Sequence, residues 1–110
     1  MSIVYLNGTY MPIEDAHVSP LDRGFLFGDG IYEVIPSYGG KMVGFGPHID
    51  RMIEGLAALE IELNWSHDQW REVCQELIER NPSTQVGLYL HVTRGADTKR
   101  HHPYPKGVEP

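Results

Sequence analysis

The hydrophobic pattern of this chain changes period twice, and that succession limits the folds open to it. Ile3-Val4-Tyr5-Leu6 and Thr9-Tyr10-Met11-Pro12 flank Asn7-Gly8, a pair that adopts the positive backbone angles of a tight hairpin turn. Ile31 to Ser37 is β-branched and apolar enough for another strand, and Gly39-Gly40 turns it into a partner from Lys41 to Phe45. The period then becomes helical: Ile49, Met52, Ile53, Leu56 and Leu59 fall on one face, with Pro47 near the start, where its missing amide proton costs nothing. Ser66 and Gln69 form the capping box of a second helix, Trp70, Val73, Cys74, Leu77 and Ile78 its apolar stripe, and Asn81-Pro82 its stop. Val86, Leu88, Leu90 and Val92 then alternate with Gly87, Tyr89, His91 and Thr93, the mark of a strand with two distinct faces.

Residues 13–30, with Pro20, Gly24, Gly28 and Gly30, read as an ordered loop with little regular structure. The stretch 94–110 reads as a polar loop that becomes a linker from 103 onward. Strands, two helices and a closing strand predict one α+β domain over residues 1–110 with mainly antiparallel pairing. Ending on Val108-Glu109-Pro110 without a closing element predicts that the natural chain continues.

Composition excludes several functions. The formal charge of −6, from 9 basic and 15 acidic side chains, disfavours a general nucleic-acid or anionic-membrane surface. Cys74 is the sole cysteine, so neither an internal disulfide nor a cysteine-based zinc site can form. The start lacks the basic and apolar regions of a signal peptide, and no run approaches membrane-spanning length. A soluble cytoplasmic protein is the expectation.

The residues themselves offer few chemical constellations. Gly24, Gly28 and Gly30 do not spell a dinucleotide fingerprint, and Gly40-Lys41-Met42 lacks the hydroxyl of a P-loop. Arg51 sits at the edge of the first helix's apolar stripe, with Gly55 and Ala58 on its face, so something approaches the helix closely there. Two readings of Arg51 stand: an anchor for an anion through two parallel hydrogen bonds, or a surface arginine paired with Asp50 or Glu54. Lys99-Arg100-His101-His102, with Arg94 just upstream, is the one strongly basic stretch. It reads either as a grip for a carboxylate or as a solvated loop. Tyr32 and Tyr89 each offer a hydroxyl from a strand, while Asp29 and Glu33 share a face only if Asp29 is already extended. Cys74, on an apolar stripe, reads as an inert buried thiol.

Several stretches, in order, resemble a known family. They are Leu6-Asn7-Gly8, Asp22-Arg23-Gly24-Phe25-Leu26-Phe27-Gly28-Asp29-Gly30-Ile31-Tyr32-Glu33-Val34, His48-Ile49-Asp50-Arg51-Met52, the strand Leu88 to Val92, and Thr93-Arg94-Gly95. Together they resemble the smaller N-terminal domain of fold-type IV pyridoxal-phosphate aminotransferases acting on D-amino acids. The resemblance implies that Arg51 binds the phosphate of pyridoxal 5'-phosphate and that Tyr32 helps to hold the substrate carboxylate. It also implies that the loop after Gly95 crosses a homodimer interface to reach that carboxylate. His101 matches the family's histidine there, whereas the arginine position carries Lys99, with Arg100 one place later. A lysine offers a point charge where the family has a planar fork.

The lysine that carries the cofactor as a Schiff base belongs, by the same resemblance, to a second domain downstream. Lys41, Lys99 and Lys106 do not sit in its motif. The expectation is an enzyme that moves amino groups from D-alanine-type donors to 2-oxoglutarate, with this chain inactive alone. A branched-chain L-amino-acid aminotransferase, an aminodeoxychorismate lyase and a non-catalytic binding or dimerisation module are the alternatives.

Overall fold

In a computed structural model, which describes residues 2–110, the first hairpin forms as its sequence dictates. Strands β1 (Ile3–Leu6) and β2 (Thr9–Pro12) pair antiparallel, and the turn places Asn7 at φ 49° and Gly8 at φ 95°. A second sheet has the order β4-β3-β5, with β3 (Gly30–Tyr38) in the centre, β4 (Lys41–Met42) on one side and β5 (Gln85–Thr93) on the other. β3 and β5 pair antiparallel from Gly30↔Thr93 to Tyr38↔Gln85, whereas β4 reaches only Ser37 and Tyr38. From residue 30 to 36, β3 therefore has no strand on its β4 side among the described residues.

The two predicted helices lie in sequence between the paired strands: α2 (Phe45–Ala58) and α3 (His67–Arg80). Both turn most of their apolar stripes to one core, although Ile53 of α2, expected on the same face, is exposed. Ile49, Met52 and Leu56 from α2, and Trp70, Cys74 and Ile78 from α3, meet Ile35, Leu88, Leu90 and Val92 of the sheet. The capping box of α3 is present, with the Ser66 hydroxyl accepting from the Gln69 amide and the Gln69 side chain accepting from Ser66 N–H. At its far end Asn81 does more than stop the helix. Its side chain accepts from Ile3 N–H and donates to Ile3 C=O, both at 2.9 Å, which ties the first hairpin to α3.

In two places the structure departs from the expectation. The stretch 13–30 is more regular than a loop, with a 3-10 turn at Ile13–Asp15 and a short helix, α1 (Arg23–Phe27). Five residues are too few to show a period, so what makes α1 is its ends: the Asp22 carboxylate accepts from Gly24 N–H, and Gly28 closes the helix at φ 64°. The partner strand expected at Lys41–Phe45 stops at Met42, because Gly44 turns left-handed (φ 69°) and Phe45 already begins α2. No helix among the described residues is long and apolar enough to cross a membrane.

Candidate functional site

Alternation along β3 sets the chemistry of its two faces. Ile31, Glu33, Ile35 and Ser37 point toward α2, and Tyr32, Val34 and Tyr38 point away from it. Glu33 is thus a carboxylate flanked by Ile31 and Ile35 on the inward face, and it is buried. It stays charged because the Arg51 guanidinium on α2 meets it, with the His48 ring alongside, next to the stretch of β3 that β4 leaves unpaired. Arg51 donates from Nε to Oε2 at 2.8 Å and from Nη2 to Oε1 at 2.9 Å, and His48 Nδ1 lies 2.7 Å from Oε1. The Arg51 hydrogen bond holds the Glu33 carboxyl below the usual range, against an opposing push from burial, with a further lowering from His48. In return Glu33 raises the pKa of Arg51, first by that hydrogen bond and then by its charge.

Neither sequence reading of Arg51 anticipated this partner. Arg51 pairs with Glu33, while Asp50 takes His67 at 2.8 Å. Nor does an anion explain the glycine on its face: a Cβ at Gly55 would meet the Ile31 side chain at 2.9 Å, so the close neighbour is β3 itself. Arg51 nonetheless remains 71% exposed, and its Nη1 has no hydrogen-bond partner among the described residues. A bidentate contact to a buried carboxylate fixes the plane of the guanidinium and leaves its outer edge for an anion. These residues fit a phosphate group.

Tyr32 lies on the outward face, 61% exposed, with its ring centroid 5.8 Å from that of Tyr89 and 6.3 Å from that of His91. The Tyr89 hydroxyl is 2.9 Å from His91 Nδ1, so these three rings form one aromatic and polar cluster. Lys99, Arg100 and His101 are all exposed, and they make no hydrogen bond or ion pair with Tyr32 or Arg51 among the described residues. Within one chain, then, the basic loop is not joined to the other predicted site residues.

Beneath that loop lies a second charged cluster. Asp29 accepts from Arg23 Nε at 2.8 Å and from Arg94 Nε at 2.7 Å, and all three side chains are buried. Burial pushes the Asp29 carboxyl up, but the hydrogen bonds from Arg94 and Arg23 outweigh it and leave it below its ordinary value. Arg94 also donates to the carbonyls of Glu60 and Leu59, and Tyr104 stacks on its guanidinium at 3.6 Å. Arg94 therefore belongs to the interior and not to a carboxylate grip. Sequence reasoning weighed Asp29 and Glu33 only against each other and missed their partners, His48 and Arg51 for Glu33 and Arg23 and Arg94 for Asp29. The signal for Glu33 was present, a lone acid at an inward position between Ile31 and Ile35.

The profile of the family described as Amino-transferase class IV matches residues 30–109. The chain is 37% identical over 105 residues to a D-alanine aminotransferase of Staphylococcus epidermidis, covering 96% of this chain and 37% of that protein. Another D-alanine aminotransferase, from Listeria monocytogenes, is 37% identical over 102 residues, covering 93% of this chain and 35% of its own length. The chain thus spans little more than a third of these relatives.

Among solved structures, the branched-chain amino acid aminotransferase from Escherichia coli superposes with a TM-score of 0.88 at 20% identity, over 98% of this chain and 38% of that one. The branched-chain aminotransferase from Thermoproteus uzoniensis, solved with norvaline, gives 0.83 at 15% identity, over 98% and 37%. At such identities these two share the fold with this chain, and nothing finer.

Proposed function

The chain belongs to the class IV aminotransferases, and from that membership we propose that the complete protein is a pyridoxal-phosphate-dependent D-amino-acid transaminase. It takes the amino group from D-alanine-type donors and passes it to 2-oxoglutarate. The support is identity of 35–37% to D-alanine aminotransferases across nearly all of this chain. The branched-chain alternative rests on fold alone, and no residue of the site favours it.

The observation that carries the cofactor assignment is the exposed Arg51 guanidinium, fixed by buried Glu33, which His48 also contacts. In this reading the outer edge of Arg51 holds the phosphate. Because Glu33 already balances much of that charge, the phosphate needs further donors from the downstream domain. When bound, pyridoxal phosphate supplies the electron sink that lets the amino group leave and return. The residues of this chain bind and orient. The Tyr32 hydroxyl, with Lys99, Arg100 and His101 from a partner subunit's copy of the loop, holds the substrate carboxylate in a cytoplasmic homodimer. Residues 103–110 lead into the linker toward the lysine-bearing domain.

The test uses the protein from its complete reading frame. D-Alanine is expected to bleach the cofactor's visible band and to yield pyruvate, while L-leucine leaves the band unchanged. A response to L-leucine alone would transfer the assignment to branched-chain enzymes. Arg51→Ala is expected to weaken cofactor retention on dialysis, about tenfold or more for one lost charge-assisted contact.

A further inference from the structure

We propose that Arg23 is a positioning residue for the Lys99–His102 loop, clamping it through two main-chain carbonyls. The inference rests on the reading that this loop grips the substrate carboxylate. The Arg23 side chain is 3% exposed and each of its three nitrogens donates a hydrogen bond: Nε to Asp29, Nη1 to the His101 carbonyl at 2.5 Å, and Nη2 to the His102 carbonyl at 2.9 Å. Asp29 is itself held by Arg94, so the clamp is braced from the end of β5. Phe27 completes it. Its ring lies under the Arg23 and Arg100 guanidinium groups, 4.9 and 5.1 Å from its centroid, and 4.8 Å from the His102 ring.

The backbone repeats the link, because Arg23 N–H donates to Gly95 C=O at 2.8 Å and Asp22 bridges Ala96. From the loop Arg23 takes carbonyls only, so it leaves the Lys99 and His101 side chains unengaged, while the Arg100 guanidinium rests on Phe27. A guanidinium alone can act in this way. Its fixed fork reaches three acceptors in different directions, whereas an ammonium on a similar stem reaches at most one well.

Arg23→Lys retains the charge beside Asp29 and loses the fork. In the complete protein, its cleavage by trypsin after Lys99 and Arg100 should rise about tenfold over the wild type, with cleavage after Lys41 on β4 unchanged as an internal reference. KM for D-alanine should rise more than kcat falls. Arg23→Gln, which leaves Asp29 paired with Arg94, serves as the second variant if the lysine protein does not fold. Unchanged cleavage at Lys99 and Arg100 in a folded variant overturns the clamp, whatever the activity. His101→Ala separates the two claims. If it leaves KM unaltered, the carboxylate reading fails, and the cleavage rates still decide for or against the clamp.

Discussion

Asp29 carries one negative charge between two buried guanidinium groups, and the arrangement is stable only while that charge is present. Arg23 and Arg94 both direct Nε at the same oxygen, Oδ2, so no second acid shares the load among the described residues. Asp29→Asn leaves both arginines buried with carbonyl partners alone, and removing one member of a buried charge set costs ~3–5 kcal/mol. Thermal unfolding of the variant should show that loss directly.

The pH dependence follows from the same residues. Asp29 and Glu33 both have folded pKa values below their unfolded ones, so on acidification the unfolded chain takes up protons first. Their contribution is complete above the ordinary carboxylate range near about 4 and disappears as pH falls through the lower folded values. Wild-type stability should therefore fall steeply at acid pH, and Asp29→Asn should flatten that limb. An unchanged acid slope in the variant would remove Asp29 from the account. Of these residues, Arg51 was visible in the sequence as a cation at the edge of a stripe. Its partner was not, because Glu33 lies 18 positions away and pairs only through packing of α2 on β3.

At the scale of elements, α3 was the most fully legible. Its cap, its stripe and its stop are all local, and local signals survive folding unchanged. Ser66→Ala removes the hydroxyl that accepts from Gln69 N–H, and a cap of this kind is worth about 1 kcal/mol. The midpoint of chemical denaturation should fall in proportion, with an unaltered slope. Cys74 reports on the same helix: burial pushes its thiol up to about 11. α1 was illegible for the opposite reason. Five residues including Gly24 have weak helical preference, and a Cβ at Gly24 would lie 2.2 Å from the Thr93 methyl group. Thr93 at the end of β5, distant in sequence, is what requires glycine there.

On the scale of the whole molecule, the outward face of the central sheet decides what the chain can do alone. Tyr32, Val34, Tyr38 and Tyr89 are all exposed on it, and the residues proposed to act on the substrate carboxylate sit there or on the basic loop. Tyr32 and Arg51 offer two anchors without an enclosed, water-excluding site. The 110-residue chain by itself is therefore expected to retain no pyridoxal phosphate through gel filtration and to form no pyruvate from D-alanine. Turnover by the isolated chain would contradict the assignment of the cofactor-bearing lysine to a downstream domain.

The sequence alone determined the hairpin at Asn7-Gly8, the two long helices, the two-faced strand at Val86–Val92, the α+β class and, through ordered motifs, the aminotransferase family. Each of these rests on periodicity, caps or short words that are read within a few residues. Only the tertiary structure decided that Glu33 orients Arg51, that Ile31 accounts for Gly55, and that Arg23, Asp29 and Arg94 form the interior support of the basic loop. Those are pairings between charges and surfaces distant in sequence. Sequence spacing does not specify them, because it is strand register and helix packing that bring the partners within reach of a hydrogen bond.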